Sequence, residues 1–172
     1  DVTPQRQREA KIRYYSFYDS LTGLYNRSFF DEELKRLDTE RMLPLSLIMG
    51  DTNGLKLIND TFGHLEGDRL LKKVARVGGD EFVMILPHVD REETKSIVRR
   101  IRENCCGLSS IPIRTSISLG CATKENSSQD IKSVFKQAEE EMYSAKLSES
   151  RTVCNEIIAS IRQSLEEHAD ET

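Results

Sequence analysis

Residues 76–87 read RVGGDEFVMILP: two glycines, two acidic residues and an apolar run that ends at a proline. Gly78 and Gly79 can take positive φ without strain, so the pair predicts a tight hairpin turn. The apolar run after the turn is short, which indicates a buried strand. Asp80 and Glu81 would then project where this strand begins. A surface hairpin that carries two solvated acids would give the same pattern.

A second apolar run, LSLIMGD at residues 45–51, is bounded by a proline and by an Asn-Gly pair. This pattern predicts another buried strand, which ends at Asp51. If the two strands are neighbours, we expect Asp51 and Asp80 to lie close together at one sheet edge. Two such carboxylates repel each other unless a cation holds them, and Mg²⁺ prefers a few carboxylates completed by phosphates and water. Two ions there could stabilise the attacking and leaving oxygens of a phosphoryl group.

The rest of the chain alternates helical and extended patterns, without repeats or low-complexity segments. A mixed sheet with helices packed on it accounts for this order, and the fold class is α+β. The chain is long enough for one domain with a hydrophobic core. Helices are predicted after a Thr3-Pro4 cap, from a Ser28–Asp31 capping box, and at residues 67–75, 90–104 and 127–147, with extended segments at 81–87 and 111–123. The last helix either ends at residue 147 or continues towards Glu167.

One connection is too short for this order of elements. Residues 72–77, KKVARV, would have to end the helix 67–75 and also form a strand that pairs with the apolar run after the glycines. Either the connection is unusually short, or the chain lacks a segment between Ala75 and Arg76. We favour the missing segment. An intact mass well above that of the sequence would support it, and a matching mass would contradict it.

Composition argues against several classes of protein. The net charge of −4 argues against non-specific binding to nucleic acid, which needs a basic surface. A run of about 18 apolar residues is absent, so we expect no direct membrane insertion of this segment, and no signal peptide is visible. The four cysteines contain no CxxC pair, and we expect them to be reduced thiols in a reducing compartment, the cytoplasm.

Residues 53–68, NGLKLINDTFGHLEGD, could complete a nucleotide pocket. Asn59 and Asp68 offer an amide and a carboxylate, which suit the hydrogen-bonding edge of guanine. Lys56 could balance the charge of a phosphate. The same residues have simpler interpretations, since Asn59 is a common turn residue and Asp68 is typical of a helix start.

Four blocks of sequence occur in order: DSLTGLYNR (19–27), GDTNGLKLINDTFGHLEGDRLL (50–71), RVGGDEFVMILP (76–87) and AEEEMYSAK (138–146). Together they resemble the GGDEF family of diguanylate cyclases, roughly over residues 17–147. The resemblance implies a palm-like nucleotide-cyclase fold, with a mixed, mainly antiparallel sheet flanked by helices and the signature on a β-hairpin. It also implies that two GTP molecules condense to cyclic di-GMP with release of pyrophosphate, in a homodimer whose domains each hold one GTP.

The resemblance also implies roles for individual residues. Metal ions, Mg²⁺ or Mn²⁺, would be held by Asp51, by the backbone carbonyl of Thr52 and by Asp80. Catalysis would centre on Asp80, with Glu81 as the neighbouring signature acid. The residues implied to bind substrate are Asn59 and Asp68 at the guanine, Lys56 and Lys146 near the phosphates, and Gly78 and Gly79 of the signature.

Three features depart from the family pattern. Asn53 stands where many members have a second acid, and Arg151 is out of register with a Gly-Arg-Asn motif that often follows the late lysine. A product-inhibition motif, Arg-x-x-Asp, is not visible before the signature, where Arg69 and Lys72 stand. A second hypothesis therefore stays open: a catalytically degenerate GTP-binding regulatory domain that controls a neighbouring phosphodiesterase domain. A third is a structural dimerisation module that binds neither GTP nor Mg²⁺ specifically.

The ends of the chain suggest neighbouring domains. Residues 1–16 resemble a signalling helix that leads out of a PAS-type sensor domain, and residues 17–150 form the GGDEF domain. Residues 151–172 resemble a helical linker towards an HD-GYP-type domain. We therefore expect one module of a longer bacterial signalling protein, which is cytoplasmic or is the cytoplasmic part of a membrane-bound sensor.

Overall fold

The computed structural model describes residues 3–52, 74–107 and 117–170. In the described part of the chain, two helices come first, and strands and further helices follow. The elements in chain order are α1 (Pro4–Phe17), α2 (Arg27–Leu37), a 3-10 turn (Glu40–Met42), β1 (Leu45–Thr52), β2 (Val74–Arg76), β3 (Glu81–Pro87), α3 (Arg91–Gly107), β4 (Ile117–Lys124) and α4 (Ile131–Asp170).

The four strands form one antiparallel sheet in the order β2-β3-β1-β4. β1 lies between β3 and β4, and all eight of its residues are buried. This burial fits its sequence, LSLIMGDT, in which apolar residues are nearly continuous rather than alternating. Successive side chains of a strand point to opposite faces, so helices must cover both faces of the sheet.

Helix α3 covers one face. Ile97, Val98 and Ile101 of this helix pack against the even-numbered side chains of β1 and β3. The largest of these strand side chains, Phe82, is completely buried, and its ring lies over Gly50 on the neighbouring strand. A Cβ atom at Gly50 would come within 2.1 Å of the ring carbon Cζ. The lack of a side chain at this position therefore lets the ring close the layer.

Helices α2 and α4 cover the opposite face, where their apolar residues pack against the odd-numbered side chains of β1 and β3. The closest approach is at Gly120 of β4. A Cβ atom there would lie 2.2 Å from the carbonyl oxygen of Ala138 and 2.2 Å from the backbone nitrogen of Met142. A residue without a side chain is needed for the backbone of α4 to come this close. Gly120 therefore sets the depth at which α4 sits on the sheet.

Helix α1 contributes no buried residue and is attached to the domain through its C-terminal end. The residue after it, Tyr18, stacks on Tyr25, which in turn stacks on Phe29 of α2. Tyr25 also hydrogen-bonds to β2: its N–H donates to the carbonyl of Val74, and its carbonyl accepts from the N–H of Arg76. The exit of α1 is thus joined to the strand that leads into the hairpin.

The α+β architecture and the antiparallel pairing of the two predicted strands are confirmed. The predicted helix 67–75 is wrong at its end, because Val74 and Ala75 belong to β2 and pair with β3. The remainder of that segment lies outside the described residues. Ala75 and Arg76 are consecutive in this three-residue strand, and the segment expected between them stays a prediction.

Two helix boundaries differ from those expected. α2 begins one residue before Ser28, because Asn26 caps it and its side chain accepts a 3.0 Å hydrogen bond from the N–H of Phe29. α4 begins at Ile131 rather than at residue 127, and it runs on to Asp170, in line with the expected continuation towards Glu167. The domain boundary expected after residue 150 lies within this helix and stays a prediction. Within the described ranges, no helix combines the length and the apolar character that crossing a membrane requires.

Candidate active site

The register of β1 and β3 brings acidic residues together at one end of the sheet. Asp51 pairs with Glu81 across the two strands. Asp80 stands one residue earlier, in the hairpin, where its carbonyl accepts a 3.1 Å hydrogen bond from the N–H of Thr52. The expectation that the two strands are neighbours is confirmed, and the residue directly opposite Asp51 is Glu81 rather than Asp80.

The side chains at this end face helix α4. Asp51 shares a face of β1 with Met49, which belongs to the apolar layer under α2 and α4. Glu81 and Ser118 are the cross-strand partners of Asp51 on its two sides. Since cross-strand partners point to the same face, the row Glu81–Asp51–Ser118 crosses the sheet beneath α4. The apolar layer therefore ends in polar groups at this point.

Lys146 of α4 reaches down to this row. Its Nζ atom lies 2.9 Å from Oδ2 of Asp51, whose side chain is only 10% exposed. The hydrogen bond to Asp51 raises the pKa of Lys146, and the negative charges of Asp51, Glu81 and Asp80 act in the same direction. The sequence placed Lys146 near phosphates, and the structure brings it to Asp51, the residue predicted to bind metal.

The hairpin turn differs from the expected one. The N–H groups of Val77 and Gly78 both donate to the carbonyl of Glu81, at 2.9 and 3.3 Å. The tight hairpin itself is confirmed, but neither Gly78 nor Gly79 uses positive φ to form it. Gly78 permits a close approach instead, because a Cβ atom there would lie 2.8 Å from Oε2 of Glu81. The Glu81 side chain thus folds back over the turn.

Arg76 braces the hairpin. Its Nε and Nη2 atoms donate to the carbonyl oxygen of Gly79, at 3.0 and 2.7 Å. Its Nη1 atom donates to both carboxylate oxygens of Asp19, at 3.0 and 3.2 Å, and both side chains are mostly buried. One guanidinium therefore ties the connector after α1 to the turn that carries Asp80. Sequence reasoning missed this pair, although an arginine within a short strand next to the signature was an available signal.

Asp19 is held in its ionised form by its neighbours. Burial by itself would raise the pKa of Asp19, but hydrogen bonds from Thr22 and from Arg76 outweigh burial and lower this pKa below its usual value. The contact between Asp19 and Arg76 is therefore a charged pair at neutral pH.

A cavity of about 430 Å³ opens beside Lys146. Its wall is formed by Asp51, by Lys146 and by later residues of α4, several of them apolar. Glu149, one turn after Lys146, also lines it and accepts a 3.1 Å hydrogen bond from Oγ of Ser118. Cavities of this size hold small ligands. The sequence gave no role to Glu149, because the family block ends at Lys146.

The remaining predicted residues are not brought to this site by the described structure. Lys56, Asn59 and Asp68, which were expected to bind guanine and phosphate, lie outside the described residues, and their roles stay predictions. Arg151 is exposed on α4.

The carboxylate oxygens at this end of the sheet suit a divalent cation whose remaining ligands come from phosphates and water. Among the described residues, no three Asp, Glu, His or Cys side chains converge closely enough to cage a metal ion by themselves. Mg²⁺ usually needs less from the protein, since one or two carboxylates suffice when phosphates and water supply the other ligands. Asp51 already accepts one cation, the Lys146 ammonium. Hard oxygen donors and an established place for positive charge therefore fit Mg²⁺ or Mn²⁺.

Residues 16–152 match the family described as "Diguanylate cyclase, GGDEF domain". The chain is 30% identical over 165 residues to the diguanylate cyclase DgcM of Escherichia coli (strain K12), a match that covers 85% of this chain and 40% of DgcM. It is 28% identical over 169 residues to the cyclic di-GMP phosphodiesterase PdeR of the same strain, covering 85% of this chain and 25% of PdeR. The solved coiled coil and GGDEF domain of DgcB from Caulobacter crescentus, in complex with c-di-GMP, matches with a TM-score of 0.65 and 25% identity, over 84% of this chain and 87% of that one.

The chain spans less than half the length of these curated relatives. The family match covers most of the chain, and the fold places the GGDEF signature on the β2–β3 hairpin, next to Asp51. The chain therefore belongs to the GGDEF domain family of diguanylate cyclases.

Proposed function

We propose that this domain is an active diguanylate cyclase, which condenses two GTP molecules to cyclic di-GMP and two pyrophosphates. The observation that carries the proposal is the Asp51–Glu81 pair at the hairpin, with the Lys146 ammonium bonded to Asp51. Carboxylates and a lysine ammonium beside a cavity of this size are suited to a metal-assisted reaction of a triphosphate.

The reaction has two equivalent halves. In each, the 3′-hydroxyl of one GTP attacks the α-phosphorus of the other, a new P–O bond forms, and the bond to the β-phosphate breaks so that pyrophosphate leaves. The hydroxyl proton passes to a carboxylate of the signature, for which Asp80 and Glu81 are the candidates. Each domain holds one GTP, so two copies of the domain must face each other in a homodimer.

Asp51, the carbonyl of Thr52, and Asp80 would hold Mg²⁺ or Mn²⁺. The bound ions would neutralise charge on the phosphates and on the leaving group. Lys146 would contribute a further positive charge to the triphosphate. Gly78 and Gly79 have no side chains, and they would therefore let the substrate approach the hairpin backbone.

The guanine would be recognised outside the described residues, by Asn59 and Asp68, with Lys56 near the phosphates. An amide and a carboxylate together can accept from and donate to the guanine edge. Because the substrate is GTP, we place the domain in the cytoplasm, where it would contribute to cyclic di-GMP signalling.

The test is a turnover assay of concentrated protein with GTP and Mg²⁺, in which chromatography measures cyclic di-GMP. Asp80→Asn should lower the rate by at least about 100-fold, because it removes a metal ligand and several kcal/mol of transition-state stabilisation. Asp31→Asn is the matched control, since Asp31 is half-exposed and pairs with Arg27 on α2. Near-normal turnover by Asp80→Asn would contradict the role of Asp80.

A regulatory GTP-binding domain is the second candidate. Two observations favour it: α4 continues as one helix past Lys146 to Asp170, and Glu149 adds negative charge to the wall of the cavity. Asn53, in place of a second acid, and the similarity to the phosphodiesterase PdeR point the same way. GTP binding by calorimetry, without product from a protein shown to be dimeric by light scattering, would favour this candidate over the cyclase.

A further inference from the structure

We infer that Lys146 is the resident counter-ion of the metal site, and that a divalent cation binds Asp51 only by displacing the Lys146 ammonium from it. The inference deepens the proposed function, on which it rests for the identity of the site's ligands. It predicts that Lys146 weakens metal binding when nucleotide is absent.

Burial of Asp51 is the first step. Its side chain is 10% exposed, at the end of a strand whose residues are all buried. A carboxylate that is withdrawn from water needs a hydrogen-bonded cationic partner. Lys146 supplies that partner at 2.9 Å.

The surroundings of the Lys146 ammonium are acidic. Glu81 pairs with Asp51 across the strands, and Asp80 adjoins Glu81. All three carboxylates attract the ammonium group electrostatically. An acidic end of this kind is unfavourable without a cation, so the Lys146 ammonium stabilises it at the place that a metal would take.

An ammonium group and a metal ion cannot share this position. Mg²⁺ lies about 2.1 Å from a carboxylate oxygen, whereas the Lys146 nitrogen lies 2.9 Å from the same group. Two cations so close together repel each other strongly in a partly buried setting. A metal ion that takes Oδ2 of Asp51 would therefore release Lys146.

The cavity beside Asp51 leaves space for the Lys146 side chain after its release. Lys146 is 46% exposed, its four-carbon stem is flexible, and it lines the 430 Å³ cavity. A triphosphate bound beside the metal would take up the released positive charge. By linkage, metal and nucleotide would then each increase the affinity of the other.

The first test measures Mn²⁺ binding without nucleotide, by electron paramagnetic resonance, to wild type and to Lys146→Met. We expect the variant to bind Mn²⁺ roughly three- to tenfold more tightly, the effect of removing a partly exposed ion pair that competes with the metal. Lys136→Met is the matched control: Lys136 lies on the same helix, is exposed and pairs with Glu140, so it should leave the affinity unchanged. Equal or weaker binding by Lys146→Met, or no Mn²⁺ binding by either protein, would overturn the inference.

The second test uses wild-type protein and does not depend on the folding of a variant. Lysine acetylation is followed by mass spectrometry with and without saturating Mn²⁺. Release from Asp51 should speed acetylation of Lys146 and leave Lys136 unaffected. A Lys146 rate that stays the same or falls with Mn²⁺ contradicts displacement.

The two proposals can fail separately. Tighter Mn²⁺ binding by Lys146→Met in a domain that makes no cyclic di-GMP would support the counter-ion role and refute the cyclase. Product formation by wild type together with unchanged Mn²⁺ affinity in the variant would do the reverse.

Discussion

The two faces of the sheet each depend on a glycine, but the neighbour of that glycine differs. On the face covered by α3, Gly50 leaves room for the ring of Phe82. On the face covered by α4, Gly120 leaves room for the helix backbone itself. A ring can shift when crowded, whereas the backbone of a 40-residue helix moves only as a body. The first contact therefore stabilises strand packing, and the second also sets the height of Lys146 above Asp51.

The faces also differ in charge. On the α3 face, β1 and β3 present only uncharged side chains, which include the buried polar residues Ser46 and Thr52 as well as Phe82. On the α4 face, apolar side chains are followed by acids: Asp51 lies two residues from Met49 on β1, and Glu81 lies two residues from Val83 on β3. The strand alternation therefore separates the two tasks: one face fixes the register, and the other presents the acids at a fixed position.

Gly120→Ala should have the largest effect on stability. Its Cβ would meet backbone atoms at 2.2 Å, so α4 would have to move, and we expect a loss of about 3 kcal/mol in the free energy of unfolding. Urea denaturation measures this loss. Gly79→Ala is the control, because a Cβ atom there meets nothing within 4 Å. A Gly120→Ala protein as stable as the control would show that α4 does not sit as close to β4 as described.

Gly50→Ala should have a smaller effect, about 1–2 kcal/mol, because a side chain rather than backbone must give way. The variant Phe82→Leu would create space for the new methyl group. We therefore expect the double variant to be more stable than the sum of the two single changes predicts, by at least about 0.5 kcal/mol. Additive losses in urea denaturation would mean that Phe82 does not pack on Gly50.

Arg76→Met should have the smallest effect on stability, about 1 kcal/mol, because Asp19 keeps its two hydrogen bonds from Thr22 when the guanidinium is lost. Its effect on turnover should be larger than its effect on stability, since Arg76 holds the Gly79 carbonyl in the turn that carries Asp80. The comparison of unfolding free energy with the cyclic di-GMP rate checks this. Equal proportional losses in Arg76→Met and in the exposed control Arg27→Met would argue against a positioning role.

The same pair gives a pH dependence. The pKa of Asp19 is lowered below its ordinary value of 3.8, so its ionised form stabilises the fold. This contribution is complete above the ordinary pKa and is lost as the pH falls through the lowered pKa. Asp19→Asn should therefore be less stable than wild type at neutral pH, and the difference should shrink at about pH 3 and below. A difference that is constant from neutral to acid pH would contradict the lowered pKa.

Local patterns predicted the elements that fold by local rules. The runs at β1 and β3 are apolar and bounded by turn residues, and both strands lie where the sequence placed them. The helix expected at 67–75 failed at Val74 and Ala75, because their backbone groups pair with β3 across the hairpin and with Tyr25, which is distant in sequence. Helical propensity cannot register such partners. The tight hairpin was predicted correctly, although its glycines do not use positive φ and Gly78 lies against the end of the Glu81 side chain.

Sequence alone was sufficient for the family and the α+β class, and it predicted the residues of the candidate site, because four ordered blocks carry them and each block is local. Tertiary structure decided which of those residues meet. The strand register set Glu81 opposite Asp51, and the close contact at Gly120 let α4 bring Lys146 onto Asp51 from 95 positions away in the chain. The Arg76–Asp19 brace joins residues 57 positions apart. Such contacts depend on the packing of separate elements, which neither periodicity nor a motif encodes.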